Sequence, residues 1–342
     1  MTYVSYGTLN EETMSDFVDT QKKEFSIYQE LVPKVASQLF ISDNVEGHTG
    51  NTKVYKEVDI ETFADLKPEG EDAKKASVAS GYSKTLTFRR FAKEIDITKE
   101  MRDDNEDQVI IGKMTSLSEF IPSRMELDLT HRLTFASATT YVDRDGETID
   151  ISMGDGLALA SSVHKLAAST DTYRNRVAND PLFSAGAYEL AQALTTTEIK
   201  SAFGEKRVMN FNTLITTDDP NTLNEMARVT KSPTDPTQNN SGVINPYAGG
   251  VKIVSLPYLA TTATGATDST KRKIWFYAAT GKGILGWQAY LAIKEPANLK
   301  TPSTGNNGED IHNDNWTFGV RGRYGICVVS GRGIIASLPT SA

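Results

Sequence analysis

The sequence predicts one interleaved α+β body, and three observations predict it. Apolar residues from Ile110 to Ala136 recur every three or four positions, which is the spacing of a single long helix. The closing stretch "WTFGVRGRYGICVV" alternates with the period of a strand: Trp316, Phe318, Val320, Tyr324, Ile326 and Val328 share one parity, and Thr317, Arg321 and Arg323 share the other. No internal repeat and no sharp change of composition divides the 342 residues, a length that suits one large domain or two intertwined ones.

Taken in order, residues 1–50 read as a partly helical arm interrupted at Pro33, which lacks a backbone donor. Phe17, Phe25, Ile27, Leu31, Leu39 and Phe40 are too few to form a core of their own, so the arm should dock on the main body or on a neighbouring copy. In "KVYKEVDIETF", Val54, Val58 and Ile60 share one parity, as in a half-exposed strand. Its expected partner is "KTLTFRRFAKEIDIT", where apolar parity switches at Arg89 and Arg90 as a bulge would require. The charged stretch between them makes 51–100 a long projecting hairpin. Two strands alone are marginal in water, so this projection is expected to rest on another subunit.

The helical stripe runs through Ile110, Met114, Leu117, Ile121, Met125, Leu129, Leu133 and Ala136. A helix from Asp103 to about Tyr141 would be a rod of roughly 50 Å, with a kink or a junction of two helices at Pro122. A second helix over "SAGAYELAQALTTTEIKSAF" should bury Ala187, Leu190, Ala191 and Leu194, with Ser184 as its cap. "KRVMNFNTLITT" reads as a strand, and "DDPNTLNEMARV" as a helix capped by Asp219 with Pro220 in its first turn. Residues 231–249 form a Pro-, Asn- and Gly-rich loop, "GVKIVSL" and "RKIWFYAA" are strands, and "KTPSTGNNGED" is a second loop.

Composition excludes several function classes. Net charge is −8, which disfavours a protein that grips nucleic acid by neutralising phosphates. No apolar run approaches the ~18 residues that cross a bilayer, and the first residues lack a secretion-signal pattern, so no membrane partner and a cytosolic site of folding are expected. The one cysteine, Cys327, lies in the apolar run "YGICVVS" and reads as an inert buried thiol.

The chemical candidates are few. "DGLALASSVHKL" places Asp155, Ser161, Ser162 and His164 close together, yet no glycine brackets the serines as a strained nucleophile turn needs. A turn in which these side chains satisfy local backbone groups explains the stretch better. Gly319, Gly322, Gly325, Gly331 and Gly333 fail both nucleotide-loop spacings and suit close strand packing. Asp310, His312 and Asp314 alternate, but nothing else supplies the remaining metal ligands. Catalytic, cofactor and metal sites are therefore all expected to be absent. The pairs Arg89 with Arg90 and Arg321 with Arg323 read as a solvated face, or as partners for carboxylates on a neighbouring copy.

An arm, a long hairpin, a long helix, an α+β body and an alternating final strand, in that order, resemble the major capsid proteins of tailed bacteriophages with the Hong Kong 97-like fold. Asp155, Gly156, Leu159, Ser161 and His164 match the D-G-x-x-L-F-S-x-x-H-P stretch of Mu-like major head subunits, with Ala160 and Lys165 in place of the phenylalanine and proline. "FNTLITTDDPNTLNEMARV" and "WTFGVRGRYGICVV" are similar to the family's mid-chain strand-turn-helix and final basic strand. The resemblance implies an N-terminal arm (1–50), an extended loop (51–100), a peripheral domain with a spine helix (101–174), an axial domain (175–290) and C-terminal strands returning to both (291–342).

It further implies a major head protein that assembles with itself, as hexamers and pentamers, into an icosahedral shell around double-stranded DNA that it does not read by sequence. Scaffold, portal or decoration proteins would be further partners, with assembly in the host cytoplasm and residence in the virion. Lys84, Arg89, Arg90, Lys93, Arg321 and Arg323 are its candidate subunit-interface residues. Isopeptide crosslinks of some relatives would draw on Lys74, Lys75 or Lys84 and Asn306 or Asn307, with nothing in the sequence to select among them. The rival readings are an encapsulin-type compartment shell and a cytosolic serine hydrolase using Ser161 or Ser162 with His164.

Overall fold

The computed structural model describes residues 11–104, 107–234, 244–280, 286–302 and 314–340. The chain begins with helix α1 (Glu11–Leu31), a 3-10 turn (Ala36–Leu39), β1 (Ile41–Asn44), the hairpin strands β2 (Thr52–Ile60) and β3 (Val78–Thr87), and β4 (Arg89–Ile97). A short α2 (Lys99–Asp103) leads to the spine helix α3 (Asp107–Thr134). Two small ribbons follow, β5 (Thr140–Val142) with β6 (Thr148–Asp150), and β7 (His164–Lys165) with β8 (Thr172–Tyr173). The remainder is α4 (Ala185–Thr197), β9 (Thr213–Thr216), α5 (Pro220–Lys231), β10 (Lys252–Ser255), β11 (Trp275–Ala278), β12 (Ala289–Lys300), β13 (Trp316–Val328) and β14 (Ile334–Ser337).

Two four-stranded sheets organise these elements, in the orders β1-β12-β13-β4 and β10-β9-β11-β14. The final strands belong to different sheets, so the C-terminal segment ties the two together. The short β9 and β11 are buried at every position, as strands covered on both faces must be. Helix α4 covers this second sheet with Ala187, Tyr188, Ala191 and Leu194, capped by Ser184 accepting from Ala187 N at 3.2 Å. Leu190, expected on the buried face, is exposed. The large ring of Tyr188, packed edge-on against Tyr247 and Tyr277, sets which face turns inward. Helix α5 starts as expected, with Asp219 accepting from Thr222 N at 3.0 Å and Pro220 in the first turn.

Strand β13 has a covered layer on each side. Its even residues Trp316, Phe318 and Val320 pack on α3 with Leu117 and Ile121, while Cys327 on the odd side packs on the hairpin with Tyr55, Leu86 and Phe88. Both layers approach so closely that side chains are missing where they touch. A Cβ on Gly322 would lie 3.0 Å from Ile121, and one on Gly325 would lie 2.3 Å from Leu86 and 2.9 Å from the Thr87 carbonyl. This double cover corrects the expected pairing of the hairpin. β2 pairs with β3 alone, and β4 pairs with β13 in the body. No bulge sits at Arg89 and Arg90. Phe88 and Arg90 share one face and Arg89 and Phe91 the other throughout; what changes there is which face is covered. The register shift in the hairpin lies instead between Lys56 and Val58.

The spine helix ends at Thr134, short of the expected Tyr141, which lies in β5. At 1.5 Å per residue its length is about 42 Å. It runs through Pro122 as one element, because packing of the buried Leu117 and Ile121 before it and Leu129 and Leu133 after it outweighs the ~3 kcal/mol local cost. Its second half is buried on all sides, polar residues included. Glu126, Asp128, His131 and Thr134 are each matched to another segment of the chain. Glu126 accepts from the backbone N–H groups of Val35, Ala36 and Ser37 at 3.1, 2.7 and 3.1 Å, which pins the arm. Asp128 accepts from Tyr324 Oη at 2.8 Å and Arg124 Nε at 2.9 Å. Thr134 donates to the Leu259 carbonyl at 3.0 Å.

His131 lies 3.2 Å from Thr261 Oγ1, which itself donates to the Tyr258 carbonyl and so accepts from the imidazole. The ring stands edge-on to Phe135 and Tyr141. Burial first, and then the positive charges of Lys271, Arg124 and Arg132, push its pKa from 6.5 down to about 4. The folded chain thus keeps the ring neutral while the unfolded chain protonates it below 6.5, so stability is full above that pH and falls as the pH drops toward 4. Denaturant titrations at pH 7 and pH 4.5 should show a loss on the order of 3 kcal/mol from this group, and His131→Gln should shrink that difference. Gly325→Ala should lower stability at pH 7 by about 1–3 kcal/mol, read as a shift of the denaturation midpoint, because the Thr87 backbone must move to admit the methyl group.

Candidate functional site

The Asp155–Leu166 stretch folds as a structural turn held by the buried Leu159, Ala160, His164 and Leu166. Asp155 accepts from Leu157 N at 3.0 Å and lies 2.7 Å from His164 Nδ1. Burial alone would raise the Asp155 pKa, but the His164 contact outweighs it and holds the carboxyl below its ordinary value. His164 Nε2 faces the Leu159 carbonyl at 3.3 Å and Asn175 Oδ1 at 3.2 Å. Asn175 Nδ2 donates to the Leu159 and Gly331 carbonyls, which fixes its oxygen toward the ring. Both ring nitrogens of the fully buried imidazole face oxygens of Asp155, Leu159 and Asn175, and among the described residues neither faces a serine hydroxyl. Ser161 Oγ accepts from Val163 N at 3.2 Å, and Ser162 is exposed. The geometry is that of local backbone satisfaction.

Asp310 and His312 lie outside the described residues, and Asp314 pairs with Lys99 at 3.9 Å. Among the described residues, no cluster of three His, Cys, Asp or Glu side chains is placed to hold a metal. Burial pushes the Cys327 thiol up to about 12, the state of an unreactive core thiol.

Five of the six basic interface candidates are engaged within their own chain. Lys84 Nζ donates to Asp150 Oδ2 at 2.6 Å and to Ser152 Oγ at 2.8 Å. Arg89 bridges Asp143 and Glu147 at 2.9 and 2.8 Å, and Lys93 lies 4.4 Å above the Phe120 ring. Arg321 pairs with Glu295 at 2.6 Å, and Arg323 donates to Asn51 Oδ1 at 2.6 Å. Arg90 stands directly across from Arg323 on the open face of the first sheet and, among the described residues, makes no ion pair or hydrogen bond. Of the crosslinking candidates, Asn306 and Asn307 lie outside the described residues.

The hairpin is not a free projection over its whole length. Leu86 and Tyr55 dock it on the sheet, and Glu57 and Asp59 hold the far end of its ladder in a buried charge cluster. Arg332 binds Glu57 and donates to Asp59 Oδ2 at 2.8 Å and to the Lys200 carbonyl at 3.0 Å; Asp59 also accepts from Arg207 and, at 2.8 Å, from Ala202 N. Burial opposes ionisation of Asp59, but the bonds from Arg332, Ala202 and Arg207 prevail and its pKa is lowered. The cluster locks the hairpin to the 200–207 segment and to the C-terminal turn. Sequence reading missed it because Glu57, Asp59, Arg207 and Arg332 are far apart in the chain and each reads as an ordinary surface charge. Beyond the ladder, Thr62 N donates to Glu205 at 2.7 Å, and residues 62–78 are exposed without exception.

No family model and no curated protein matches this chain. Solved structures do. Over 89% of this chain and 88% of the other, the structure superposes on the capsid of Ralstonia phage GP4 with a TM-score of 0.50 at 10% identity. The chain has the Hong Kong 97-like capsid fold. Weaker likenesses are to the procapsid of bacteriophage JBD30 (TM-score 0.48, 11% identity, 98% of this chain and 77% of that one) and to the virus-like particle from Pyrococcus furiosus (TM-score 0.46, 10% identity, 93% and 97%). Within this capsid fold, the anchored hairpin with its exposed tip is the candidate functional element.

Removing Arg332, the central cation at the far end of the hairpin ladder, leaves two buried carboxylates short of a partner. Arg332→Met is expected to cost about 3–5 kcal/mol and to open residues 52–87 to limited proteolysis, whereas Arg90→Ala should change stability by no more than about 0.5 kcal/mol.

Proposed function

We propose that this protein is the major head subunit of a tailed bacteriophage, assembling with itself into an icosahedral shell around double-stranded DNA. The likeness of its fold to the GP4 capsid, over nearly nine-tenths of both chains, carries the reading. The hairpin supports it: a rigidly anchored element that ends in a fully exposed tip stabilises nothing in a monomer but gains buried area between copies. On this reading residues 1–50 are the arm, 51–100 the extended loop, 101–174 the peripheral domain, 175–290 the axial domain, and 291–342 the strands returning to both. Because β4 belongs to the body sheet, the part of the loop that extends is Thr52–Thr87.

Copies would meet as hexamers and pentamers, with scaffold, portal or decoration proteins as further partners. Arg90 is the foremost of the six basic interface candidates, since it is the one without a bond in its own chain among the described residues. A net charge of −8 suits a container that encloses DNA without gripping it. Assembly would take place in the host cytoplasm and the product would reside in the virion.

Negative-stain electron microscopy of the expressed chain should show rings, sheets or closed particles. Monodisperse monomers at every protein concentration would refute the proposal, and particles that pack protein in place of nucleic acid would favour a compartment shell. The double variant Ser161→Ala with Ser162→Ala should assemble as the parent does.

A further inference from the structure

The second half of α1 carries a face that the described residues of its own chain leave bare. Lys23, Ile27 and Leu31 recur every four residues and so line one side of the helix, with Ile27 and Leu31 58% and 68% exposed. Phe25 packs on Ile110 and Met114, and further along Leu31 and Pro33 border Thr115, Glu119 and Ser123, so α1 runs beside α3 in the same direction. The end of α1, the middle of α3 and the turn at Leu256–Tyr258 enclose an open cleft of about 590 Å³. Val32, Val35, Leu256 and Pro257 give it apolar walls. Of its two acids, Glu126 is already bonded to three N–H groups of the arm, while Glu119 faces water.

Charges beside this surface are also left over. Lys23, Glu30 and Glu119 are exposed and, among the described residues, make no ion pair. Within one chain Lys23 cannot reach Glu119, because it lies two turns, about 12 Å, before the Leu31 that stands beside that acid. A second α1 laid antiparallel against the first, with Ile27 at the crossing, closes the gap. Residues equally far from Ile27 on opposite sides then come level, and Lys23 of each copy meets Leu31, Glu30 and Glu119 of the other. Resting on the shell-subunit reading, we propose that two copies pair through antiparallel α1 helices. Ile27 sits at the two-fold axis, and Lys23 lays its apolar stem along the partner's cleft with its ammonium on Glu119. The contact is isologous: one patch serves both copies, and each charge pair occurs twice.

An isologous contact makes a single variant enough for the test. Full-length Ile27→Cys, allowed to associate and then oxidised, is expected to give a disulfide-linked dimer by itself, because both thiols stand at the axis. Val208→Cys, 79% exposed at another surface, should give little or none. The native Cys327 is buried and stays out of the reaction. In a second arm, read by sedimentation, Lys23→Glu should raise the concentration needed for association about tenfold, since the like-charge contact arises twice, and adding Glu119→Lys to the same chain should restore most of it. Associated chains without the Ile27→Cys adduct, equal linkage through Val208→Cys, or no recovery in the charge-reversed double variant would overturn the helix pairing and leave the shell reading standing. A parent chain that stays monomeric at all concentrations would overturn both.

Discussion

Burial of the second half of the spine helix, polar residues included, is the constraint on which the rest of the structure depends. A helix with one dry face asks only for apolar neighbours, but α3 also places Glu126, Asp128, Thr130, His131 and Thr134 out of water. Each buried polar group must find a partner; Thr130 finds it in the helix itself, at the Glu126 carbonyl, and the others in distant parts of the chain: the arm at Val35–Ser37, Tyr324 in the last long strand, and the Leu259–Thr261 turn. These bonds specify more than they stabilise. An apolar helix could slide or rotate in its seat, whereas this one is indexed at several points along its length.

The second organising feature is a strand with no free face over much of its length. β13 carries the spine helix on one side and the hairpin on the other, and glycine allows both to approach. The hairpin is thereby held to the far end of its ladder, where Arg332 and Arg207 neutralise Glu57 and Asp59 out of water, and bare at its tip. Stiffness at one end and exposure at the other suit an element that must present a fixed surface to something outside its own chain. The Asp155–His164 contact near Ser161 turns both ring nitrogens toward oxygens of Asp155, Leu159 and Asn175.

Much of this was legible in the order of residues, because local patterns report local structure. The stripe from Ile110 to Leu133 marked the spine, Ser184 and Asp219 marked two helix starts, and the alternation from Trp316 marked β13. The turn reading of Asp155 to His164 followed from the lack of bracketing glycines. Three things were not legible. β12 escaped because "AYLAIKEPANLK" mixes charges and a proline into a strand whose outer half is partly exposed. The apparent bulge at Arg89 and Arg90 was a change of covering layer, and a one-dimensional pattern cannot tell which layer lies over which face. The same limit made Leu190 look buried, since period alone does not say how wide the dry stripe is.

By itself, the sequence determined where many of the helices and strands form and that they interleave, because propensity, capping and periodicity act between near neighbours. Only the tertiary structure decided which strands pair, which charges become neutralised cores, and which surfaces stay bare. Glu57, Asp59 and Arg332 look alike to Glu69, Asp72 and Lys75 when read along the chain. The first three are desolvated and bonded while the others face water, and that difference comes from what folding stacks above them.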